Sequence, residues 1–210
     1  MNDWPFAGLE RGSYGAIVAD PPWSFRAWTS LDKANFPQRR DPEKHYPIMG
    51  LDGIKALPVR DLAAPDCHLF LWVTGPMLPR AVEVIEAWGF RYSGVAFTWI
   101  KLRRSYDARQ LRVTPTLESD LHVGLGLTTR KNAEFCLLAR RGNCKRASKA
   151  VREVILAPVR QHSRKPEEFR RRVEQYVGPD VRIAELFARE SRPGWATWGL
   201  ESAKFDAAAA

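Results

Sequence analysis

The stretch Ala16-Ile17-Val18-Ala19-Asp20-Pro21-Pro22-Trp23 decides the fold class of this chain. Its first half is a short apolar run without polar alternation, which is typical of a strand buried on both faces of a mostly parallel sheet. Two prolines then end the strand, because proline fixes φ and has no amide hydrogen to donate. We therefore expect Asp20 at the carboxyl end of a buried strand, the edge at which α/β proteins gather their functional groups.

Further apolar runs predict more strands, and amphipathic patterns between them predict helices. Apolar residues recur at helical spacing from Leu78 to Trp88 and from Phe169 to Val177, with Pro166 at the first helical position of the second pattern. Strands alternating with helices predict an α/β doubly wound sheet, mostly parallel and flanked by helices. The other predicted strands are 69–73, 95–100, 135–138, 154–156 and 183–187.

The length of 210 residues and the 45% hydrophobic content predict one folded domain. We place that domain at 1–206 and interpret 207–210 as a frayed tail. The longest apolar run, 69–73, is too short to cross a membrane, and the N-terminus lacks a signal-peptide pattern. We therefore expect a soluble, cytoplasmic protein. The three cysteines and four histidines show no metal-ligand spacing, so we expect no metal site.

Positive charge is concentrated in one stretch. The net charge is +9, and residues 101–172 contain 19 Lys or Arg but only 7 Asp or Glu. Such a basic stretch indicates a polyanionic partner, most commonly nucleic acid, although a solvated surface is the alternative. We interpret Arg170–Arg172 as the exposed face of a helix. The long loop predicted at 102–130 carries four more arginines, which form either a gate over the target base or a solvated strip. They are Arg103, Arg104, Arg109 and Arg112.

The segment after the first strand suits the methylation of an exocyclic amino group on a base. We interpret its residues as the catalytic residues: Asp20, Pro21, Pro22 and Trp23. That nitrogen is a poor nucleophile because its lone pair is delocalised into the ring. The Asp20 carboxylate and the Pro21 carbonyl can accept its two N–H groups, and the prolines hold these acceptors in place. Trp23 offers a ring face for stacking. The alternative is an ordinary turn after a strand, with Trp23 in the core.

From about Tyr14 to Glu201 the chain resembles the MT-A family of adenine-N6 methyltransferases, which carry an Asp-Pro-Pro-Trp signature. The resemblance implies a Rossmann-like methyltransferase fold, S-adenosylmethionine as methyl donor and adenine in nucleic acid as substrate. The matching segments follow in the order of the family: 20–23, 45–49, 70–74, 98–101, 129–142, 162–167, 185–189 and 198–199.

The resemblance also implies a set of cofactor-binding residues. Lys165, just before a helix, would bind the cofactor carboxylate. Glu185 and Glu201 would accept ribose hydroxyls. Many family members have Asn at the position of Leu200, and a leucine cannot hydrogen-bond a ribose. The remaining members of this set are Asp20, Leu186, Phe187, Arg189, Gly199 and Leu200.

For the substrate, the resemblance favours Tyr46 and Trp99, with Trp23, around the base, and Lys101 and Arg130 at phosphates. The alternative for Trp99 is an ordinary core position, and the alternative for Lys101 is a solvated surface. Trp72, in the middle of a predicted strand, is interpreted as core.

The sequence thus predicts an adenine-N6 methyltransferase, with DNA favoured over RNA as the substrate. The alternatives are the same reaction on RNA, a catalytically silent partner subunit that binds nucleic acid, and a small-molecule methyltransferase. Silent partners tend to lose the Asp or the Trp of the signature, and both are present here. The basic stretch disfavours a small-molecule substrate. A monomer and a homodimer remain equally open.

Overall fold

A computed structural model of the chain describes residues 4–23, 49–106, 120–124, 129–161 and 164–206. The described residues form one sheet and three α-helices. The strands are β1 Tyr14–Ala19, β2 Ala63–Val73, β3 Arg91–Leu102, β4 Ala133–Arg141, β5 Val154–Pro158, β6 Ile183–Leu186 and β7 Trp195–Trp198. The helices are α1 Leu51–Ala56, α2 Leu78–Ala87 and α3 Glu167–Val177.

The sheet has the strand order β5-β3-β4-β2-β1-β6-β7. Only β4 runs against its neighbours, pairing antiparallel with both β2 and β3, while the other four strand pairs are parallel. This confirms the predicted α/β, Rossmann-like architecture with a mostly parallel sheet. The reversal has a local consequence, because Phe135 near the start of β4 pairs with Val73 at the end of β2. The residue before Phe135 therefore lies at the edge where the parallel strands end.

The two faces of the sheet bury two cores, and β2 shows how the sequence divides them. Leu69 and Leu71 pack with the buried side of α2 on one face. Phe70 and Trp72 alternate with them and pack with Phe169 of α3 on the other face. Side chains in a strand point alternately to opposite faces, so a continuous apolar run supplies both cores. Trp72 is thus core, as predicted.

All the predicted strands and both predicted helices are present, with small differences at their ends. Pro166 lies one residue before α3 and not at its first position. Phe187 is outside β6 and has a positive φ of 59°. β7 was not predicted, because its four residues carry no run or alternation that separates a strand from a loop. Residues 207–210 lie outside the described part of the chain, and no described helix is long and apolar enough to cross a membrane.

The prediction that Arg170–Arg172 form an exposed helix face is wrong for Arg170. This side chain is buried under α3, with a relative exposure of 4% for the residue. Its guanidinium donates to both oxygens of Glu185, at 3.1 and 2.9 Å, and also to Glu190. A buried guanidinium needs such partners, since an unpaired charge in the interior is very costly.

Candidate active site

A cleft opens at the carboxyl ends of β1 and β2, next to the start of β4. Four parts of the chain form its walls: the Asp-Pro-Pro-Trp segment, the end of β2 with the start of β4, the residues just before α3, and the turns around β6 and β7. The lining residues are Asp20, Pro21, Pro22, Trp23, Val73, Thr74, Glu134, Lys165, Phe187, Ala188, Arg189, Leu200 and Glu201. The predicted signature therefore lies in a cleft together with much of the predicted cofactor set.

Four charged side chains form a cluster at the base of this cleft. The Lys165 ammonium lies 2.6 Å from Asp20 Oδ2 and 3.3 Å from Glu134 Oε2. Glu134 also accepts a hydrogen bond from Lys101. Lys165 is buried, whereas Asp20 is partly exposed to the cleft. The cluster alternates two carboxylates with two ammonium groups, so each charge is compensated by its neighbour.

The pKa shifts in this cluster follow from burial and from the two lysines. Burial raises the pKa of Asp20 above its usual range, and the Lys165 ammonium opposes that shift. Burial alone would also raise the pKa of Glu134, but the positive charges of Lys165 and Lys101 lower it to about 2. Burial alone would lower the pKa of Lys165, but the negative charges of Asp20 and Glu134 raise it above the ordinary value. Lys165 therefore stays charged, and Asp20 is the more basic of the two carboxylates.

Three hydrogen bonds fix the Asp-Pro-Pro-Trp segment. The Trp23 amide donates to the Pro21 carbonyl at 2.8 Å, and the Trp23 indole N–H donates to the Trp72 carbonyl at 2.8 Å. The Met49 amide donates to the Pro22 carbonyl at 3.2 Å. A carbonyl oxygen has two lone pairs, so Pro21 can still accept another donor. The Trp23 side chain is largely buried, and its predicted stacking role would use the part that lines the cleft.

The opposite wall depends on a close crossing of two turns. A Cβ at Gly199 would lie 2.6 Å from the Ala188 carbonyl oxygen, so only glycine fits there without a shift. The Ala188 amide donates to the Trp198 carbonyl at 2.9 Å, which joins the two turns. Phe187 adopts the left-handed region just before this contact. A non-glycine residue in that region is uncommon and is often found at functional sites.

Arg189, Leu200 and Glu201 complete that wall. The Arg189 Nε donates to Glu201 at 3.0 Å. Leu200 lines the rim with 90% of its surface exposed. An isolated apolar side chain at a rim suits contact with a flat apolar ligand group, a role different from that of the Asn found in many family members.

Several predicted site residues are not brought to the cleft. Glu185 is buried behind it, with its carboxylate held by Arg170, and it does not line the cleft. Trp99 is buried, and its indole N–H donates to the Ala157 carbonyl at 2.9 Å. Leu186 is fully buried and Arg130 is exposed outside the cleft, while Lys101 reaches the cleft only through Glu134. Tyr46 lies outside the described residues, as do Arg109 and Arg112.

Four residues that line the cleft were not predicted as site residues, and two of them, Glu134 and Thr74, carry polar side chains. Glu134 begins an apolar run, and a charged residue at that point was the available signal. Its place in the site depends on the antiparallel direction of β4, which the run alone does not reveal. Thr74 follows β2 directly, and its buried hydroxyl has no hydrogen-bond partner among the described residues.

The cleft residues fit the cofactor that the resemblance implies. S-adenosylmethionine carries a carboxylate, ribose hydroxyls and an adenine ring. The buried Lys165 ammonium suits the carboxylate, the Glu201 carboxylate suits hydroxyls, and Phe187 and Leu200 offer apolar contact. The unpaired Thr74 hydroxyl is a further polar group that a ligand could satisfy. In the described part of the chain, no group of three His, Cys, Asp or Glu side chains could hold a metal ion.

Known proteins are similar in sequence to this chain over nearly its whole length. The MT-A70 family model matches residues 14–201. Type II methyltransferase M.MunI from a Mycoplasma species is 30% identical, over 95% of this chain and 82% of that protein. Human N(6)-adenine-specific methyltransferase METTL4 is 28% identical, over 93% of this chain and 39% of its own length.

One fungal relative, whose name includes an RNA activity, matches at a similar level of identity. N6-methyladenosine RNA methyltransferase MTA1 from Cryphonectria parasitica is 27% identical, over 91% of this chain and 52% of its own length. The chain thus spans about half or less of these two eukaryotic relatives but most of M.MunI. On the 14–201 match and the 30% identity with M.MunI, the chain belongs to the MT-A70 family of adenine-N6 methyltransferases.

Proposed function

We propose that this chain transfers a methyl group from S-adenosylmethionine to the exocyclic N6 amino group of adenine in DNA. The observation that carries the proposal is the position of Asp20 and Pro21, which stand side by side in a cleft that also holds Lys165 and Glu201. When bound, S-adenosylmethionine would supply an electrophilic methyl group on a sulfonium.

Asp20 and the Pro21 carbonyl have the chemistry to hold the amino group. Both accept hydrogen bonds, and two acceptors on the two N–H groups draw the nitrogen lone pair out of conjugation with the ring. Trp23 fixes the Pro21 carbonyl through its amide, and its indole anchors the segment to β2. The acceptors are therefore in place before the substrate arrives, which is the condition for electrostatic stabilisation of a transition state.

The raised pKa of Asp20 adds a second function for this carboxylate. A more basic carboxylate accepts stronger hydrogen bonds from the amino group. Once the new C–N bond has formed, the nitrogen must lose one proton, and Asp20 is the base closest to it in this proposal. Lys165 compensates the charge on Asp20, and its second contact with Glu134 holds the ammonium in position.

DNA is proposed as the substrate because of how the chain aligns with its relatives. It aligns over 82% of Type II methyltransferase M.MunI, compared with 52% of the RNA methyltransferase MTA1. RNA is the second candidate, and the match with MTA1 over 91% of this chain favours it. The intact Asp20 and Trp23 in the cleft argue against a silent partner subunit.

The substrate is tested by a direct product measurement. The protein is incubated with methyl-labelled S-adenosylmethionine and either double-stranded DNA or RNA of matched sequence, and the polymers are digested to nucleosides. We expect label in N6-methyl-2′-deoxyadenosine. Label that accumulates only in N6-methyladenosine would transfer the proposal to RNA, and label in neither nucleoside would contradict it.

A further inference from the structure

The positive charge of the chain divides into two classes according to its ion pairs. Every Lys and Arg from 164 to 206 lies within 4.0 Å of a carboxylate. By contrast, no Lys or Arg in the described stretch 129–161 forms such a pair. The cations of the C-terminal part are therefore held in ion pairs. Those of 129–161 have no carboxylate of a described residue within 4.0 Å, although Arg140 donates to the Ser93 hydroxyl and Arg141 to the Arg60 carbonyl.

Five of these cations, together with Arg91 of β3, form what we call the basal strip. All six are exposed, and they lie at the start of β3, at the end of β4 and in the loop that joins β4 to β5. The basal strip consists of Arg91, Arg140, Lys145, Arg146, Lys149 and Arg152.

The basal strip begins at the edge of the sheet opposite the cleft, at Arg91 and Arg140, and extends along the loop to Arg152, two residues before β5. Glu134 is at the cleft and Arg140 is six residues further along β4, which corresponds to about 20 Å at roughly 3.3 Å per residue. The following loop passes the C-terminal end of α3, where the Ala147 amide donates to the Tyr176 carbonyl at 2.7 Å. It then rises along β3 until Val154 pairs with Thr98.

Repulsion within the basal strip is a feature that the fold alone does not require. Arg91 and Arg140 are direct partners across the β3–β4 ladder, where like charges are destabilising. Two carboxylates near the strip accept hydrogen bonds from other groups. Asp66 accepts a hydrogen bond from the Asn143 amide at 2.7 Å, and Glu153 accepts one from the Thr98 hydroxyl at 2.8 Å.

A nucleic-acid backbone has the charge pattern that complements this surface. A single strand of a duplex presents one phosphate per roughly 3.4 Å of helix axis, so a row of exposed cations can face several phosphates in succession. Exposed Lys and Arg contact phosphates without reading sequence, and they set the salt dependence of binding.

We infer that the basal strip is a second nucleic-acid contact surface, which binds the phosphate backbone away from the cleft, at up to about 20 Å from it along the sheet. The inference rests on the proposed function for its choice of polyanion. It adds a prediction about reach: a substrate must extend by up to about six base pairs beyond the target adenine, at roughly 3.4 Å each, to gain this contact.

The test removes four charges from the basal strip and measures binding without turnover. The variant K145Q/R146Q/K149Q/R152Q is compared with the wild type on a fluorescent 30-base-pair duplex over a range of salt concentrations. Each lost phosphate contact reduces the slope of log K against log salt by about 0.9. We expect a slope reduced by up to about 3.6, with affinity at least tenfold weaker at low salt and an unchanged circular dichroism spectrum.

The matched control loses the same four charges at exposed arginines that are already paired with carboxylates. The variant R11Q/R80Q/R171Q/R182Q breaks only surface ion pairs, and we expect it to keep the wild-type slope. Equal losses in both variants would show an effect of net charge alone and would overturn the inference. So would an unchanged slope in the strip variant, or tighter strip-dependent binding to phosphatidylserine vesicles than to the duplex.

The outcome is separable from that of the proposed function. Wild-type protein that methylates DNA, with a strip variant that binds normally, would overturn the basal strip and leave the enzyme assignment intact. Strip-dependent binding by a wild-type protein that does not methylate either polymer would support the basal strip and overturn the enzyme assignment.

Discussion

Asp20 combines two properties that usually oppose each other in a carboxylate. It is buried enough for its pKa to be raised, yet it lies 2.6 Å from the charged Lys165 and faces an open cleft. Glu134 shares the same ammonium but has a pKa lowered to about 2, because Lys101 adds a second positive charge. The two carboxylates therefore differ in basicity, which is why we propose Asp20, and not Glu134, as the carboxylate that contacts the substrate.

Glu201 provides a residue-scale prediction for cofactor binding. Substitution Glu201→Gln removes a charged acceptor from the cleft wall, and hydrogen bonds to charged groups contribute about 1.5–3 kcal/mol. We expect S-adenosylmethionine to bind about tenfold or more weakly in isothermal titration calorimetry, with little change in melting temperature. The control Glu10→Gln removes an exposed carboxylate that is paired with Arg182, and it should bind normally. Equal affinity of Glu201→Gln and wild type would remove Glu201 from the cofactor site.

His68 provides a prediction about stability. It is buried between Phe70 and Tyr176, and its Nε2 has no hydrogen-bond partner in the described part of the chain. Burial, followed by the positive charge of Arg140, lowers the pKa of His68 from 6.5 to about 4. As the pH falls from 6.5 to 4, His68 binds a proton in the unfolded chain but remains largely unprotonated in the folded protein. His68 therefore destabilises the fold at acid pH.

The substitution His68→Leu should remove this acid sensitivity. We expect the free energy of unfolding of the variant to match or exceed that of the wild type at pH 7, because an unsatisfied buried polar atom is removed. Between pH 6.5 and pH 4 the wild type should lose roughly 3 kcal/mol more than the variant. Urea unfolding of both proteins at the two pH values measures this difference, and parallel losses would contradict the account.

At the scale of elements, α3 illustrates how a charge run divides into different roles. Arg170 and Arg171 are adjacent in sequence, yet Arg170 is buried between two carboxylates while the Arg171 side chain is 66% exposed beside Glu168. Helix geometry turns successive residues by about 100°, so neighbours point to different surroundings. The apolar pattern of α3 predicted its buried face correctly, but it did not show that an arginine would complete that face.

The adjacent arginines form a matched pair of variants. Arg170→Met leaves Glu185 and Glu190 without their buried partner, and breaking a buried ion pair in this way costs about 3–5 kcal/mol. Arg171→Met breaks only an exposed pair worth about 0–1 kcal/mol. We expect a clearly lower urea midpoint for the first variant and a midpoint near wild type for the second. Similar midpoints would mean that the Arg170 network adds no stability.

The elements built from apolar runs could be predicted from the sequence, whereas features set by tertiary pairing could not. Ala16–Ala19 and Leu69–Val73 predicted β1 and β2, because burial on both faces leaves a continuous apolar signal. Asp20 could be placed in the site because it ends such a strand. Glu134 could not, since its place depends on the reversed direction of β4. The burial of Glu185 behind the cleft could not be predicted either, because its partner Arg170 comes from another element.

At the scale of the whole molecule, the net charge of +9 is not spread as one basic face. Lys165 and Arg170 belong to buried ion pairs, and Lys101 compensates Glu134 in the cleft. The cations without carboxylate partners include Arg103 and Arg130, at the same edge of the sheet as the cleft, and the basal strip, which begins at the opposite edge. The sequence indicated the amount of positive charge, but only the sheet topology separates these two locations.

The central claim is that Asp20 carries adenine-N6 methylation, and a comparison of Asp20→Asn with Asp52→Asn tests it most directly. Both substitutions convert a carboxylate to an amide of the same shape, but Asp52 lies on the exposed first turn of α1. Mass spectrometry of nucleosides from methylated DNA and RNA gives the initial rate of N6-methyladenine formation. We predict wild-type rates for Asp52→Asn and a loss of about 10²-fold or more for Asp20→Asn, with an unchanged circular dichroism spectrum. A folded Asp20→Asn variant that retains the wild-type rate would contradict the account.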